Sequence, residues 1–116
     1  MLLLNMIEIR EYITPQGQSV FGRWFNRLGS PASSKIVMAL TRLELSNTSN
    51  VKPVGAGVSE LKINYGPGYR VYFGWDGNNL VILLGAGTKK RQQKDIEDAQ
   101  KLWNEYKKRK KAGEEL

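Results

Sequence analysis

The sequence predicts an α+β domain in which a twisted antiparallel sheet packs with an N-terminal helical hairpin and a C-terminal helix. Two apolar stripes of helical period lie near the N-terminus, three strand-like runs separated by glycine turns follow, and another helical stripe comes last. The predicted order is β-α-α-β-β-β-α. With 116 residues, 41% of them hydrophobic, the chain has the size of a single domain, 1–116.

In the N-terminal part, apolar and charged residues alternate over 6–13, which predicts a strand and suits an edge position. Thr14 is a good N-cap and Pro15 fits the first helical position, while Gly29 is a stop signal. A second start signal and a second apolar stripe follow. We therefore expect a helical hairpin over about 15–46.

In the C-terminal part, β-branched and aromatic residues predict a strand at about 59–65 and a second one in "YRVYFGW". The turn signal "DGNN" leads into the apolar run "LVILLGAG", which is typical of a strand covered by a helix. Helical spacing predicts a last helix over about 92–110. We expect the basic segment 107–116 to be a frayed or disordered tail.

The charge balance favours a polyanionic partner. The chain has 18 Lys and Arg against 11 Asp and Glu, a net charge of +7, and residues 86–116 hold 10 of the basic and 6 of the acidic residues. Nucleic acid is the commonest partner of such a small basic domain.

The absent residue types narrow the chemistry further. Without cysteine or histidine, disulfides, most zinc sites and the usual acid–base group at neutral pH are excluded. We expect no metal and no cofactor.

The opening "MLLLNM" lacks a charged leader and a cleavage site, and Met6 is a second candidate start. With no run long enough to span a membrane, we expect a cytoplasmic protein.

Arg70 lies within a predicted strand, where an arginine is unfavourable without a partner. A turn centred on Pro67 places Asn64 opposite Arg70, and a two-residue loop in "DGNN" places Gly85 on its other side. The small glycine leaves room there for a bound group.

This register predicts two faces of the sheet. The apolar face that points to the core is formed by Leu61, Ile63, Val71, Phe73 and Trp75. The opposite face is polar, basic and aromatic, and is formed by Lys62, Asn64, Arg70 and Tyr72. From spacing alone, the second face fits either a functional site or an ordinary solvated strand surface.

The motifs that follow carry a family resemblance. "ELK", then "GYRVYF", an apolar strand and a basic run that opens a helix, "KKRQQKDIEDA", occur in that order. Together they resemble the RelE/ParE toxin superfamily, and within it the HigB-like branch of addiction module killer proteins. The likeness extends from Met6 to about Trp103.

The resemblance implies a RelE-like domain that is the toxin of a type II toxin–antitoxin system. It further implies a metal-independent, ribosome-dependent mRNA endoribonuclease, an mRNA interferase that inhibits translation. The catalytic residues that it suggests are Arg70, Lys62, Lys89, Arg91 and Tyr72, with RNA contacts from Lys90, Lys94 and Asn64. Members often carry a tyrosine or histidine beyond the basic group. This chain has Asp95 near that position, so the acid–base group stays open and Tyr72 is a substitute.

RNA cleavage of this kind uses the ribose 2′-hydroxyl as nucleophile, so stabilisation of charge at the phosphate is the main requirement. We expect Arg70 to bind the phosphate with two hydrogen bonds and Lys62 to act as base. Lys89, Lys90 and Arg91 would hold the RNA backbone. Arg70→Ala is expected to abolish toxicity without unfolding the domain.

The expected partners are a cognate antitoxin, of the helix-turn-helix type in the HigB-like branch, and mRNA on the ribosome. Operator DNA would be bound only through the antitoxin, and no membrane is involved. Two alternatives stay open. ParE-like members of the same fold poison DNA gyrase, and a degenerate toxin would only bind its antitoxin.

Overall fold

The structure, a computed structural model, describes residues 6–116, so the prediction made for the opening segment lies largely outside it. A single 3₁₀ turn, Lys89–Arg91, connects the last strand to the last helix. The strands and helices are β1 (Glu8–Glu11), α1 (Val20–Asn26), α2 (Ala32–Glu44), β2 (Val51–Pro53), β3 (Val58–Ile63), β4 (Tyr69–Asp76), β5 (Leu80–Thr88) and α3 (Gln92–Lys111).

The five strands form one mixed sheet in the order β1-β5-β4-β3-β2. β3, β4 and β5 pair antiparallel, as predicted, β2 pairs antiparallel with β3, and β1 occupies an edge, as expected. The expectation of an all-antiparallel sheet is wrong at this edge, because β1 runs parallel to β5. Most of the chain separates these two strands, so no tight turn imposes opposite directions on them.

The strand β2 was not predicted. It has only three residues, "VKP", and ends in a proline that cannot donate to a sheet ladder. Such a strand is tolerated at an edge, where one side of the strand needs no hydrogen-bond partner. Its pairing with β3 places Val51 opposite Leu61.

Helices cover both faces of the sheet, and each side has its own apolar core. The predicted core face is confirmed: Leu61, Ile63, Val71 and Phe73 are buried among residues of α1 and α2, with Trp75 packed against them. The second core lies beneath α3 and contains Tyr12, Val58, Tyr72, Ile82, Leu84, Ala99, Trp103 and Tyr106. The opposite face is therefore largely closed by α3.

α1 begins later than predicted. Gly17 N donates a 2.8 Å hydrogen bond to the Thr14 carbonyl, and Gly17 has a φ of 81°, so Thr14–Gly17 is a turn. Ser19 is the N-cap, since its Oγ accepts a 2.9 Å hydrogen bond from Gly22 N. Thr and Pro are favoured in turns as well as at helix starts, and Gly17 decides for the turn.

α3 has nearly the predicted bounds of about 92–110, whereas the expectation of a frayed or disordered tail from 107 is wrong as far as Lys111. Arg109 Nη1 donates a 2.8 Å hydrogen bond to the Ile13 carbonyl, and Lys110 pairs with Asp76, which ties the basic end of the helix to the sheet.

Within 6–116, no helix combines the length and the apolar character needed to cross a bilayer.

The strand register differs from the prediction on both sides of β4. A five-residue loop places Arg70 opposite Lys62 instead of Asn64, and Asn64 lies in that loop. On the other side, the β4–β5 loop has three residues and a bulge follows at Tyr72 and Phe73, so Arg70 faces Gly87 instead of Gly85. Both shifts at Arg70 amount to two residues, so the side chains within β3 and β4 keep their predicted faces.

Candidate functional site

A row of residues crosses the three central strands near one end of the sheet. Lys62, Arg70 and Gly87 are Cα partners on β3, β4 and β5, with neighbouring strands about 4.8 Å apart. Lys62 is exposed, whereas Arg70 is 5% exposed. A Cβ atom at Gly87 would collide with the carboxylate of Asp95. The space predicted beside Arg70 is thus occupied by a side chain from α3.

The Arg70 guanidinium is enclosed by groups of the protein. Its Nη1 donates a 2.6 Å hydrogen bond to the Gly68 carbonyl, and its Nε lies 3.6 Å from Oε1 of Glu60. Glu60 is 1% exposed, and its Oε1 also accepts a 2.7 Å hydrogen bond from Gln92 Nε2 at the start of α3. The first turn of α3 therefore covers the position at which we expected an open arginine.

Tyr72 is fully buried beneath α3, with an exposure of 0%. Its hydroxyl has no hydrogen-bond partner within the part of the chain that the structure describes. Burial raises the pKa of Tyr72, and the nearby carboxylates of Glu60 and Asp95 raise it further, against the opposing effect of Arg70. A buried phenol that resists ionisation cannot exchange protons with a substrate, so the structure gives the acid–base role of Tyr72 no support.

The 3₁₀ turn Lys89–Arg91 presents three exposed cations beside this row. Lys89 N donates a 3.4 Å hydrogen bond to the Pro67 carbonyl, which holds the turn against the β3–β4 loop. The turn therefore lies at the same end of the sheet as Arg70. Lys94, one turn further along, is exposed and forms a 2.8 Å ion pair with Asp98.

Lys62 and Asn64 line a groove of about 250 Å³ between α2 and β3. Lys35 and Arg42 of α2 add two further cations to its wall. The groove is separate from the region around Asp95, so Lys62 and Arg91 contribute to different depressions of the surface.

A larger cleft of about 480 Å³ lies between α1, the end of β5 and the first turn of α3. Its cationic lining comes from Arg23 and Arg27 of α1 and from Arg91. The Trp24 ring also lines it and packs edge-on against Tyr69, with 5.7 Å between ring centroids. Guanidinium groups bind phosphates, and the part of the half-buried Trp24 indole that lines the cleft offers a surface on which a base can stack.

Asp95 is the acidic residue in the lining of this cleft. Its Oδ1 lies 3.8 Å from Arg91 Nε, and its side chain is 14% exposed. Its Oδ2 is buried and meets no hydrogen-bond donor among residues 6–116. Burial raises the pKa of Asp95, while the charge of Arg91 lowers it, Asp98 raises it and Lys94 lowers it.

Sequence reasoning missed Arg23, Arg27 and Trp24 as site residues. Arg23 and Arg27 are four residues apart, so they lie on one side of α1. That spacing was visible in the sequence, but it is common on solvated helices. Only the packing of α1 against the end of β5 brings Arg23 and Arg27 beside Arg91.

The fold and the basic end of the sheet together define a small α+β domain of the RelE-like type. A sequence model described as "Phage derived protein Gp49-like (DUF891)" matches residues 23–107. The chain therefore belongs to this Gp49-like family, a family of RelE/HigB-like toxins. It is also 41% identical over 86 residues to an uncharacterised protein of Haemophilus influenzae, an alignment that covers 73% of this chain and 87% of that relative. Membership in the family indicates the toxin half of a toxin–antitoxin pair.

Proposed function

We propose that this chain is a ribosome-dependent mRNA endoribonuclease, the toxin of a HigB-like type II toxin–antitoxin system. The observation that carries the proposal is the cleft in which Arg23, Arg27 and Arg91 meet beside the exposed Lys89 and Lys90. Three arginines in one concave surface, with two exposed lysines in the adjoining turn, suit the binding of an RNA backbone. A neighbouring indole adds a surface for an unstacked base.

In this proposal, the cleft binds the phosphate at which the RNA is cut. The three arginines would stabilise the charge that develops on the phosphorus oxygens as the 2′-oxygen attacks. Lys89 and Lys90 would hold the flanking backbone. Lys62 and Asn64, in the groove beyond β3, would contact RNA further along, because an exposed lysine serves better as a positive charge than as a base. We place Lys94, paired with Asp98, at the rim of this surface.

Arg70 takes a different role from the one that the resemblance implies. Its guanidinium is held by the Gly68 carbonyl and by Glu60. The Gly68 loop supports the turn that carries Lys89, so we assign Arg70 as a positioning residue for that turn. Its charge also adds to the positive potential at this end of the sheet.

The proposed protein partner is a cognate antitoxin, of the helix-turn-helix type that itself binds operator DNA. The outer surface of α2 fits such a partner, since Val37, Met38 and Leu45 are exposed there. Lys35 and Arg42 lie among these apolar side chains, and they would pair with acidic groups of an antitoxin segment.

One experiment tests the proposal. The chain is induced without an antitoxin, growth is followed, and the 5′ ends of cellular mRNA are mapped together with gyrase cleavage sites. We expect growth arrest with new 5′ ends inside translated regions. Trapped gyrase breaks without new mRNA ends would show that the chain poisons DNA gyrase instead. Unchanged growth and unchanged RNA would show that the chain only binds an antitoxin.

A matched pair of variants locates the site. Arg23→Ala/Arg27→Ala removes two cations from the cleft and is expected to lower mRNA cleavage at least tenfold at equal expression. Lys108→Ala/Lys111→Ala removes the same charge from exposed positions near the other end of α3 and serves as the control. Equal loss of cleavage in both variants would mean that net charge, and not the cleft, binds the RNA.

A further inference from the structure

The carboxylate of Asp95 lies among the arginines of the cleft, in surroundings that are energetically unfavourable for a charged group. Asp95 packs against β5 at Gly87, where any larger residue would collide with it. Its Oδ2 is buried without a hydrogen-bond donor among the described residues. Its Oδ1 is 3.8 Å from Arg91 Nε, which is longer than a hydrogen bond.

A purely structural carboxylate in the first turn of a helix is normally solvated or accepts hydrogen bonds. Neither description fits Oδ2 of Asp95, and a buried oxygen without a hydrogen-bond donor destabilises the fold. A group that is kept at the expense of stability is a candidate for chemistry.

The surroundings of Asp95 suit a proton acceptor. Its burial raises its pKa and so increases the basicity of the carboxylate. Charged and titratable groups from every adjoining element face it: Arg91, Lys94 and Asp98 near the start of α3, Arg23 and Arg27 across the cleft from α1, and Tyr72 from β4 beneath. Arg91 and Lys94 favour the ionised carboxylate against the effect of burial, and the arginines of the cleft can bind a phosphate next to it.

We propose that Asp95 is the general base of the RNA-cleavage reaction and accepts the proton of the ribose 2′-hydroxyl in the arginine cleft. This inference rests on the proposed function. It assigns a residue to the proton-transfer step, for which a chain without histidine lacks the usual acid–base group.

The step balances without a further reactant. The 2′-hydroxyl proton passes to the Asp95 carboxylate, the 2′-oxygen forms a bond to phosphorus, and the bond from phosphorus to the 5′-oxygen breaks. The products are a 2′,3′-cyclic phosphate and a 5′-hydroxyl, whose proton comes from water. The hydroxide left behind takes the proton from Asp95 and restores the carboxylate.

The test compares Asp95→Asn with Glu97→Gln, a matched amide variant of an exposed carboxylate on the same helix. Cleavage of ribosome-bound mRNA by the purified chain is measured across pH, and each variant is melted across the same range. We expect Asp95→Asn to lower the cleavage rate by roughly 10²–10⁴-fold and to remove the acidic limb of the pH–rate profile. Glu97→Gln is expected to keep both.

The melting temperatures separate catalysis from structure. Because the pKa of Asp95 is raised in the folded state, folding holds its proton more tightly, and the wild type loses stability as pH rises through the window above the ordinary value of 3.8. The amide does not ionise, so Asp95→Asn is expected to melt at the same or a higher temperature than the wild type at neutral pH. A variant that melts lower while losing activity would make Asp95 structural and overturn the inference.

The remaining outcomes are also decisive. If the unaltered chain cuts RNA and Asp95→Asn cuts it at the same rate, the role of Asp95 is rejected and the proposed function is kept. If the unaltered chain cuts no RNA, both the proposed function and the role of Asp95 are rejected. If Asp95→Asn fails to fold, the pH–rate profile of the unaltered chain tests the role of Asp95. A cleavage rate that does not decline toward acidic pH excludes a carboxylate as the general base.

Discussion

At the scale of single residues, the most informative group is the ion pair between Arg70 and Glu60. The two residues lie on neighbouring strands beneath α3, at exposures of 5% and 1%. Oε1 of Glu60 is shared between Arg70 and Gln92, while Oε2 is 3.8 Å from the ammonium of the exposed Lys52. An arginine on a strand is accommodated here because a carboxylate from the next strand compensates its charge.

This burial changes the expected outcome of an Arg70 substitution. Arg70→Met leaves the carboxylate of Glu60 buried without its nearest cation, so we expect a loss of about 3–5 kcal/mol in the free energy of unfolding. The expectation that Arg70 can be removed without affecting the fold is therefore revised. Urea unfolding of the variant and the wild type measures the difference, and an unchanged midpoint would contradict the ion-pair assignment.

The double variant Glu60→Gln/Arg70→Met provides the control. It removes the uncompensated carboxylate together with its partner, so it is expected to recover part of the stability that Arg70→Met loses. Strict additivity of the two single changes would show that Arg70 and Glu60 do not interact.

At the scale of elements, the decisive contact is that of α3 with the sheet. The indole of Trp103 lies directly over Gly74 of β4, and a Cβ atom at Gly74 would approach three of its ring atoms to 2.5 Å. Trp103 also stacks on Tyr106, with ring centroids 5.0 Å apart. The glycine thus lets α3 approach the sheet closely enough to bury Tyr72 and to bring Asp95 against β5.

Gly74→Ala is expected to destabilise the fold by about 1–3 kcal/mol, because a ring held between the strand and the helix cannot move away cheaply. Thermal unfolding followed by tryptophan fluorescence measures the effect. Gly29→Ala is the control, since nothing lies within 4 Å of the added carbon there, and it should change stability by less than about 0.5 kcal/mol. Equal melting of the two variants would contradict the close packing of α3.

At the scale of the whole molecule, the distribution of charge separates the two ends of the sheet. The net charge is +7, and the cleft cations cluster at the end where β5 leads into α3. The other end holds the basic run at the end of α3, where Lys110 pairs with Asp76 and Arg109 pairs with Glu114. Part of the positive charge at that end is thus compensated within the chain, so we expect RNA to prefer the cleft.

The salt dependence of RNA binding tests this preference. The logarithm of affinity for a single-stranded RNA should fall linearly with the logarithm of salt concentration. For Arg23→Ala/Arg27→Ala, the slope is expected to be shallower by about 0.7 for each phosphate contact that is lost. Lys108→Ala/Lys111→Ala should keep the wild-type slope, and a larger change in that variant would place the RNA at the far end of α3.

Much of the fold follows from local patterns in the chain. Alternation and helical spacing predicted β1, α2, β3, β4, β5 and α3, because these periods report which side of an element is apolar. The core face of β3 and β4 was also predictable, since a register error of two residues leaves each side chain on its own face. The basic group at Lys89–Arg91 and the family resemblance were equally visible in the sequence.

The composition of the site was decided by tertiary structure. Loop lengths and the bulge near Phe73 set the register that pairs Arg70 with Gly87. The docking of α3 buried Arg70 and Tyr72 and brought Asp95 to that glycine, while α1 brought its arginines to Arg91. Local periodicity determines which face of an element is apolar, whereas the neighbours that a side chain meets depend on how distant elements pack.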